Sequence, residues 1–198
     1  KTVVESALDP SVVEVILGGP NVAAKLTAQS FDHICFTGGT QIGKLVMKAA
    51  AEQLISVTLE LGGKSPVIVD LTARLKSAAK KIAWGKYLNA GQVCIAPDYL
   101  LLEEGIAEEF AKRFEDNIIE MYGLSPIDSE DLGKIVNKHH YNRILKLIKD
   151  AINDGAKLHV PGGVLEQGED RRKISPCFLT GCTTDMAIMK EEIFGPVL

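Results

Sequence analysis

Short apolar runs closed by glycine or proline turns alternate with stretches of helical periodicity from Val12 to Glu103, and this alternation limits the fold more than any other feature of the chain. Residues 12–18 read as a strand ended by Gly18, Gly19 and Pro20, followed by a helical stretch to about Ala28. Residues 33–38 read as a second strand. From Thr40 to Leu54, apolar residues fall at Ile42, Leu45, Val46, Ala49, Ala50 and Leu54, near helical spacing. Further strands are expected at 57–61, before Gly62 and Gly63, at 66–70 and at 99–103, with a helix at 75–88 between the last two. Long amphipathic helices are expected at 107–121 and 138–153, separated by a polar, turn-rich link, and residues 162–172 read as an exposed hairpin or loop. A β-α-β-α rhythm of this kind implies an α/β fold, a parallel sheet with flanking helices.

The length of 198 residues accommodates one large α/β domain, or a small domain with part of another. A net charge of −4 without a compensating Lys/Arg cluster argues against a nucleic-acid partner. The basic stretch from Lys76 to Lys86 has the spacing of a solvated helix face. No apolar run approaches the ~20 residues that span a bilayer, so no membrane segment is expected. The chain opens inside a structured pattern and closes inside an apolar run, which reads as a piece of a longer protein with no signal peptide. Cys35, Cys94, Cys177 and Cys182 form no CxxC pair and have no histidine at zinc-ligand spacing. The expectation is therefore no metal, no disulfide and a reducing, cytoplasmic setting. Cys35, Cys177 and Cys182 read as small buried hydrophobes.

Four segments could carry chemistry. In FTGGTQIGK, residues 36–44, a strand runs through a glycine turn straight into a helix, leaving free backbone N–H groups at a positive dipole end that suits a pyrophosphate. It is neither GxGxxG nor a P-loop, and a purely structural turn fits it as well. In NAGQVCIAP, residues 89–97, Cys94 lies past a helix in a glycine-containing turn, where local N–H groups can stabilise a thiolate; a turn cysteine with no role is the alternative. Glu60 lies between Leu59 and Leu61 at a strand end. An apolar neighbourhood there would suit a general base, whereas strand alternation also permits a solvent-facing edge residue. Glu192 and Phe194 share one side of an extended segment, which alone is unremarkable.

Together, and in this order, the four segments resemble the signatures of the aldehyde dehydrogenase superfamily over essentially the whole chain. The separation of Glu60 and Cys94, 94 − 60 = 34, matches that of the family's glutamate and cysteine. AWGKY at 83–87 and CIAPDY at 94–99 are closest to the class 3, or fatty aldehyde dehydrogenase-like, branch. The resemblance implies that residues 1–60 are the C-terminal part of a Rossmann-like NAD(P)-binding domain, and that 61–198 are most of the catalytic domain. It implies that Cys94 attacks an aldehyde to give a thiohemiacetal and then a thioester, with its own backbone N–H as half of an oxyanion hole. Glu60 activates the hydrolytic water. Gly38, Gly39, Thr40, Gln41, Ile42 and Gly43 approach the pyrophosphate of NAD or NADP, the backbone at Leu61 meets the nicotinamide amide, Glu192 holds the nicotinamide ribose, and Phe194 packs near the ring. Asn89 and Gln92 shape the turn. Gly39 stands where the family often has Ser or Asn.

The resemblance also implies a homodimer at full length, medium- to long-chain or aromatic aldehydes, and in some members a C-terminal membrane attachment. The family's oxyanion-hole asparagine and the lysine loop of the adenosine ribose are expected upstream of Lys1. A folded but inactive fragment is therefore one alternative reading. A thiol hydrolase or acyltransferase pairing Cys94 with His33, His139, His140 or His159 is another, although no motif places any of those histidines beside Cys94.

Overall fold

The computed structural model describes residues 1–198, which divide into two compact units, Lys1–Gly62 and Gly63–Leu198. No helix is long and apolar enough to cross a membrane.

The first unit contains α1 (Thr2–Ala7), α2 (Pro20–Thr27), β1 (His33–Gly38), α3 (Thr40–Ala51) and β2 (Ser56–Leu61). β1 and β2 pair in parallel over six residues, from His33 opposite Ser56 to Gly38 opposite Leu61. Ile34, Val46 and Ala50 form the core between ladder and helix, with Phe36, Ile55, Val57 and Leu59 packed on it. Two expectations fail in this unit. Residues 12–18 are not a strand: Val12 and Val13 turn back onto the Asp9 carbonyl, and Val12, Ile16 and Leu17 are exposed. An apolar run becomes a strand only where a neighbour takes its backbone groups, and no ladder reaches this one. The third helix also ends earlier than its apolar pattern, because Leu54 turns left-handed (φ 57°) while Ile55 N–H reaches the Ala50 carbonyl at 3.0 Å. That closing bond makes Leu54 an exposed cap residue rather than a core contact. Ile42 and Leu45 are exposed as well.

The second unit contains β3 (Pro66–Val69), α4 (Leu75–Tyr87), β4 (Tyr99–Leu102), α5 (Ala107–Tyr122), α6 (Lys138–Asn153), β5 (Lys157–His159) and β6 (Phe178–Thr180). β3 and β4 are parallel, Pro66 opposite Tyr99 through Val69 opposite Leu102. Against them, α4 and α5 bury Ala79, Ile82, Ala83, Tyr87, Phe110, Phe114 and Ile118, with Phe178 meeting Phe114 edge-on at 5.5 Å. A second core gathers around α6 through Ile144, Leu147 and Ile148. β5 and β6 form an antiparallel ladder that the sequence pattern does not announce, since three residues per strand are too few for a period to show. The segment at 162–172 is hairpin-like, closed by an antiparallel bridge between Glu166 and Ile174. Just before β6, Cys177 bridges in parallel to Val197 and exchanges backbone bonds with Pro196 and Leu198, so the segment after Phe194 is fixed to the core.

Candidate active site

In the first unit, the register of the parallel pair sets out the expected cofactor residues. Gly38 closes β1 opposite Leu61, and Thr37 lies opposite Glu60, so the glycine turn and Glu60 share the C-terminal edge of the ladder. Ligands of open α/β sheets gather at such edges. Gly39 is extended (φ −70°, ψ 147°) and α3 begins at Thr40 with no side chain capping its first N–H groups. Ile42 and Gly43 direct their N–H groups back to the Gly39 carbonyl, each at 3.0 Å. A Cβ added at Gly39 would meet nothing within 4 Å, so the turn is open on its outer side. At Gly43 a Cβ would lie 2.7 Å from Leu61 Cδ2, and the missing side chain is what lets helix and strand close.

Glu60 is exposed, not enclosed by apolar neighbours. Of the two surroundings the sequence allows, strand alternation selects the solvent-facing one: half-buried Leu59 and Leu61 point to the opposite face from Glu60. The same alternation exposes Cys35 between Ile34 and Phe36, against the expectation that it is buried. His33 has both ring nitrogens engaged across the ladder, with Ser56 Oγ at 2.7 Å and Thr58 Oγ1 at 3.0 Å.

In the second unit, Cys94 stands on a turn built from improbable backbone. Asn89, Ala90 and Gly91 follow α4 with φ of 52°, 55° and 73°, three left-handed residues in succession. Such residues persist only where their surroundings hold them. Gln92 supplies part of the hold, donating from Nε2 to the Asn89 and Lys134 carbonyls at 3.1 Å each and accepting from Val136 N–H at 2.8 Å. Asn89 returns a bond to the Gln92 carbonyl at 3.1 Å. Both side chains thus shape the turn, as expected. Gly91 supplies the rest: a Cβ there would come within 2.1 Å of the Gly195 carbonyl oxygen. Cys94 itself is exposed at the tip.

That contact joins the base of the turn to Gly195, the residue after Phe194. Phe194 is itself left-handed (φ 51°). Burial pushes the Glu192 carboxyl above its usual range and the Asp98 carboxylate adds to this, while Arg143, the Gly63 backbone and Lys86 pull it down. Asp98 is 3% exposed and takes the Ile193 N–H on both carboxylate oxygens at 3.3 Å. Lys64 Nζ lies 2.8 Å from Asp98 Oδ2, and Lys86 Nζ lies 3.5 Å from Oδ1. Arg143 donates to Glu191 at 3.0 Å, to the Glu192 carbonyl at 3.1 Å and to the Ile193 carbonyl. No histidine of this unit bonds to Cys94. His159 pairs with Thr180 and stacks on Phe178, and His139 and His140 meet edge to face on α6. An apolar cavity of about 350 Å³, lined by Leu102, Phe110, Phe114, Cys182 and Met189 among others, does not include Cys94.

A family model described as the aldehyde dehydrogenase family matches residues 1–198. The chain belongs to the aldehyde dehydrogenase family. It is 42% identical to a 4,4'-diaponeurosporen-aldehyde dehydrogenase of Staphylococcus aureus over 100% of this chain and 42% of that protein. It is 41% identical to a dimeric, NADP-preferring aldehyde dehydrogenase of Mus musculus, with the same coverage. Among solved structures, the substrate-bound state of Staphylococcus aureus AldH matches with a TM-score of 0.91 and 42% identity, over 100% of this chain and 42% of that one. The chain thus spans about two fifths of the length of the aldehyde dehydrogenases it matches.

Five residues of the aldehyde dehydrogenase segment receive no role from its motifs: Lys64, Lys86, Asp98, Arg143 and Gly195. One carried a visible signal. Lys86 falls at helical spacing from Ala79, Ile82 and Ala83 and is fully buried with them, so the expected solvated face of α4 holds for Lys76, Lys80 and Lys81 but not for Lys86. The others depend on contacts across 95 residues, in the case of Asp98 and Ile193, and leave no local trace.

Proposed function

We propose that this chain carries the nucleophile and base of an NAD(P)+-dependent oxidation of an aldehyde to a carboxylic acid. The observation that supports it most is the placement of Cys94, exposed on a strained turn that packs through Gly91 and Gly195 against the segment of Glu192 and Phe194, in a chain of this family. In this reading residues 1–60 are the C-terminal part of the cofactor domain and 61–198 belong to the catalytic domain.

Cys94 adds its thiolate to the aldehyde carbon, giving a thiohemiacetal whose oxygen is met by the Cys94 backbone N–H. NAD(P)+, when bound, accepts the hydride that converts this adduct into a thioester. Glu60 takes a proton from water as it attacks the thioester carbon, and the Cys94 thiolate departs with release of the acid. The open turn at Gly39 and the uncapped N–H groups of Thr40 and Gln41 suit the pyrophosphate, with Gly38, Ile42 and Gly43 completing it. Glu192, Phe194 and the Leu61 backbone hold the nicotinamide half. The substrate is a medium- to long-chain or aromatic aldehyde. The four free thiols fit a reducing cytoplasm, and a homodimer accords with the name of the mouse relative.

Formation of NAD(P)H by the full-length protein with a medium-chain aldehyde tests this reading; no reduction, or equal reduction by Cys94→Ala, rejects it. Because the chain covers about two fifths of its relatives, a second reading applies to the 198-residue polypeptide alone: it folds but does not turn over. Stoichiometric alkylation of Cys94 without NAD(P)H formation is the result that reading requires.

A further inference from the structure

Three charged groups in Gly63–Leu198 have no part in the chemistry above, yet two are almost fully out of water. Lys86 is 0% exposed, Asp98 3%, and the Lys64 side chain 18%. Neither ammonium finds an aligned hydrogen-bond acceptor, although both lie against Asp98. Burying charges this way is costly, and an apolar trio of similar volume commonly serves stability as well or better.

The geometry supplies another reason for them. Asp98 is the fourth residue after Cys94, and its carboxylate accepts the backbone N–H of Ile193, which stands between Glu192 and Phe194. From the other side, Arg143 donates to the carbonyls of Glu192 and Ile193. The peptide groups around Ile193 are therefore gripped by an anion at the N–H and a cation at the carbonyls. Phe194 follows at once in a left-handed conformation that a residue with a side chain adopts only under restraint.

We infer that Asp98, fixed between buried Lys86 and Lys64, is a positioning residue for the Glu192–Phe194 segment, tying cofactor engagement to the turn that carries Cys94. The inference rests on the reading of Glu192 and Phe194 as cofactor contacts. It assigns the ion cluster to the nicotinamide half of the site and to no step of bond making.

The test uses the full-length protein, with calorimetric titration of NAD+ and NADP+, steady-state kinetics, melting curves and the rate of Cys94 alkylation by iodoacetamide. Asp98→Asn and the double variant Lys86→Met/Asp98→Leu are compared with wild type. The double variant leaves no charge stranded at full burial, so it folds even where a single change does not. Misplacement of a positioning group typically costs about 10- to 100-fold, and that loss is expected in Kd and KM for the cofactor, with aldehyde KM and alkylation rate near wild type. The loss should persist in the double variant even where its melting temperature equals or exceeds that of wild type. Wild-type cofactor affinity in the double variant overturns the inference and makes the cluster merely structural. If Glu192→Gln also binds NAD(P)+ as wild type does, the cofactor reading itself fails and the inference falls with it.

Discussion

The edge at Gly38–Gly43 and Glu60 and the turn at Cys94 obtain their geometry in opposite ways. The first is regular structure: a parallel ladder in register, one glycine that lets Leu61 in, and a helix that starts as the strand ends. Its working groups are backbone N–H groups and an exposed carboxylate, and no charged residue of this unit is buried. The second is irregular. Asn89, Ala90, Gly91 and Phe194 are all left-handed, and they are held by side-chain bonds to backbone, a glycine-to-glycine contact and a buried ion cluster. Regular elements suffice to present the edge proposed for the pyrophosphate. Holding the irregular turn below Cys94 against the segment of Phe194 needs contacts from distant parts of the chain.

The largest effect should come from Cys94→Ala, which removes the proposed nucleophile at the exposed tip. NAD(P)H production by the full-length protein should fall on the order of 10⁴-fold or more with the melting temperature unchanged. A modest fall would break the comparison by making the turn a structural feature.

Next is Gly91→Ala. A methyl group 2.1 Å from the Gly195 carbonyl, at φ 73°, must push the two segments apart. Urea unfolding should show a loss of about 2–4 kcal/mol. Gly39→Ala is the matching change at the regular edge, where φ is −70° and nothing lies within 4 Å; it should shift stability by no more than about 0.5 kcal/mol. Equal losses for the two alanines would erase the distinction between the regions.

Between these in size is the response of Lys86 to pH. Burial lowers its ammonium from the ordinary 10.5 to about 8, with Asp98 opposing the fall and Lys64 adding to it. Between about pH 8 and 10.5 the unfolded chain holds the proton that the folded chain has lost, so this group makes stability rise with pH across that window. Urea midpoints of wild type relative to Lys86→Met should therefore climb from pH 8 to pH 10. Parallel profiles would show that Lys86 keeps its proton throughout.

These contrasts also explain what the sequence made legible. β1, α6 and the glycine turn could be read because period, breakers and caps all lie within a few residues of each other, down to Asn137 accepting the His140 N–H at 2.9 Å at the start of α6. The run at 12–18 misled because apolar character does not guarantee a partner strand. The sequence leaves two surroundings open for Glu60, and the structure selects the exposed one, since sequence neighbours on a strand face opposite ways. Cys94, Glu192 and Phe194 were each ambiguous alone and gained meaning only as a set. Asp98 and Arg143 take no role from the sequence, because their partners are backbone groups of residues 192–193, far along the chain.

The most direct test of the central claim is to trap the covalent intermediate. Glu60→Gln in the full-length protein, incubated with NAD+ or NADP+ and a medium-chain aldehyde, should form NAD(P)H in a burst of about one equivalent and then nearly stop, because a missing general base slows deacylation by roughly 10²–10⁴. Peptide mass spectrometry should then find the acyl group on the peptide containing Cys94, and only when NAD(P)+ is present. An acyl group on Cys35, Cys177 or Cys182, acylation without NAD(P)+, or undiminished turnover would contradict the account.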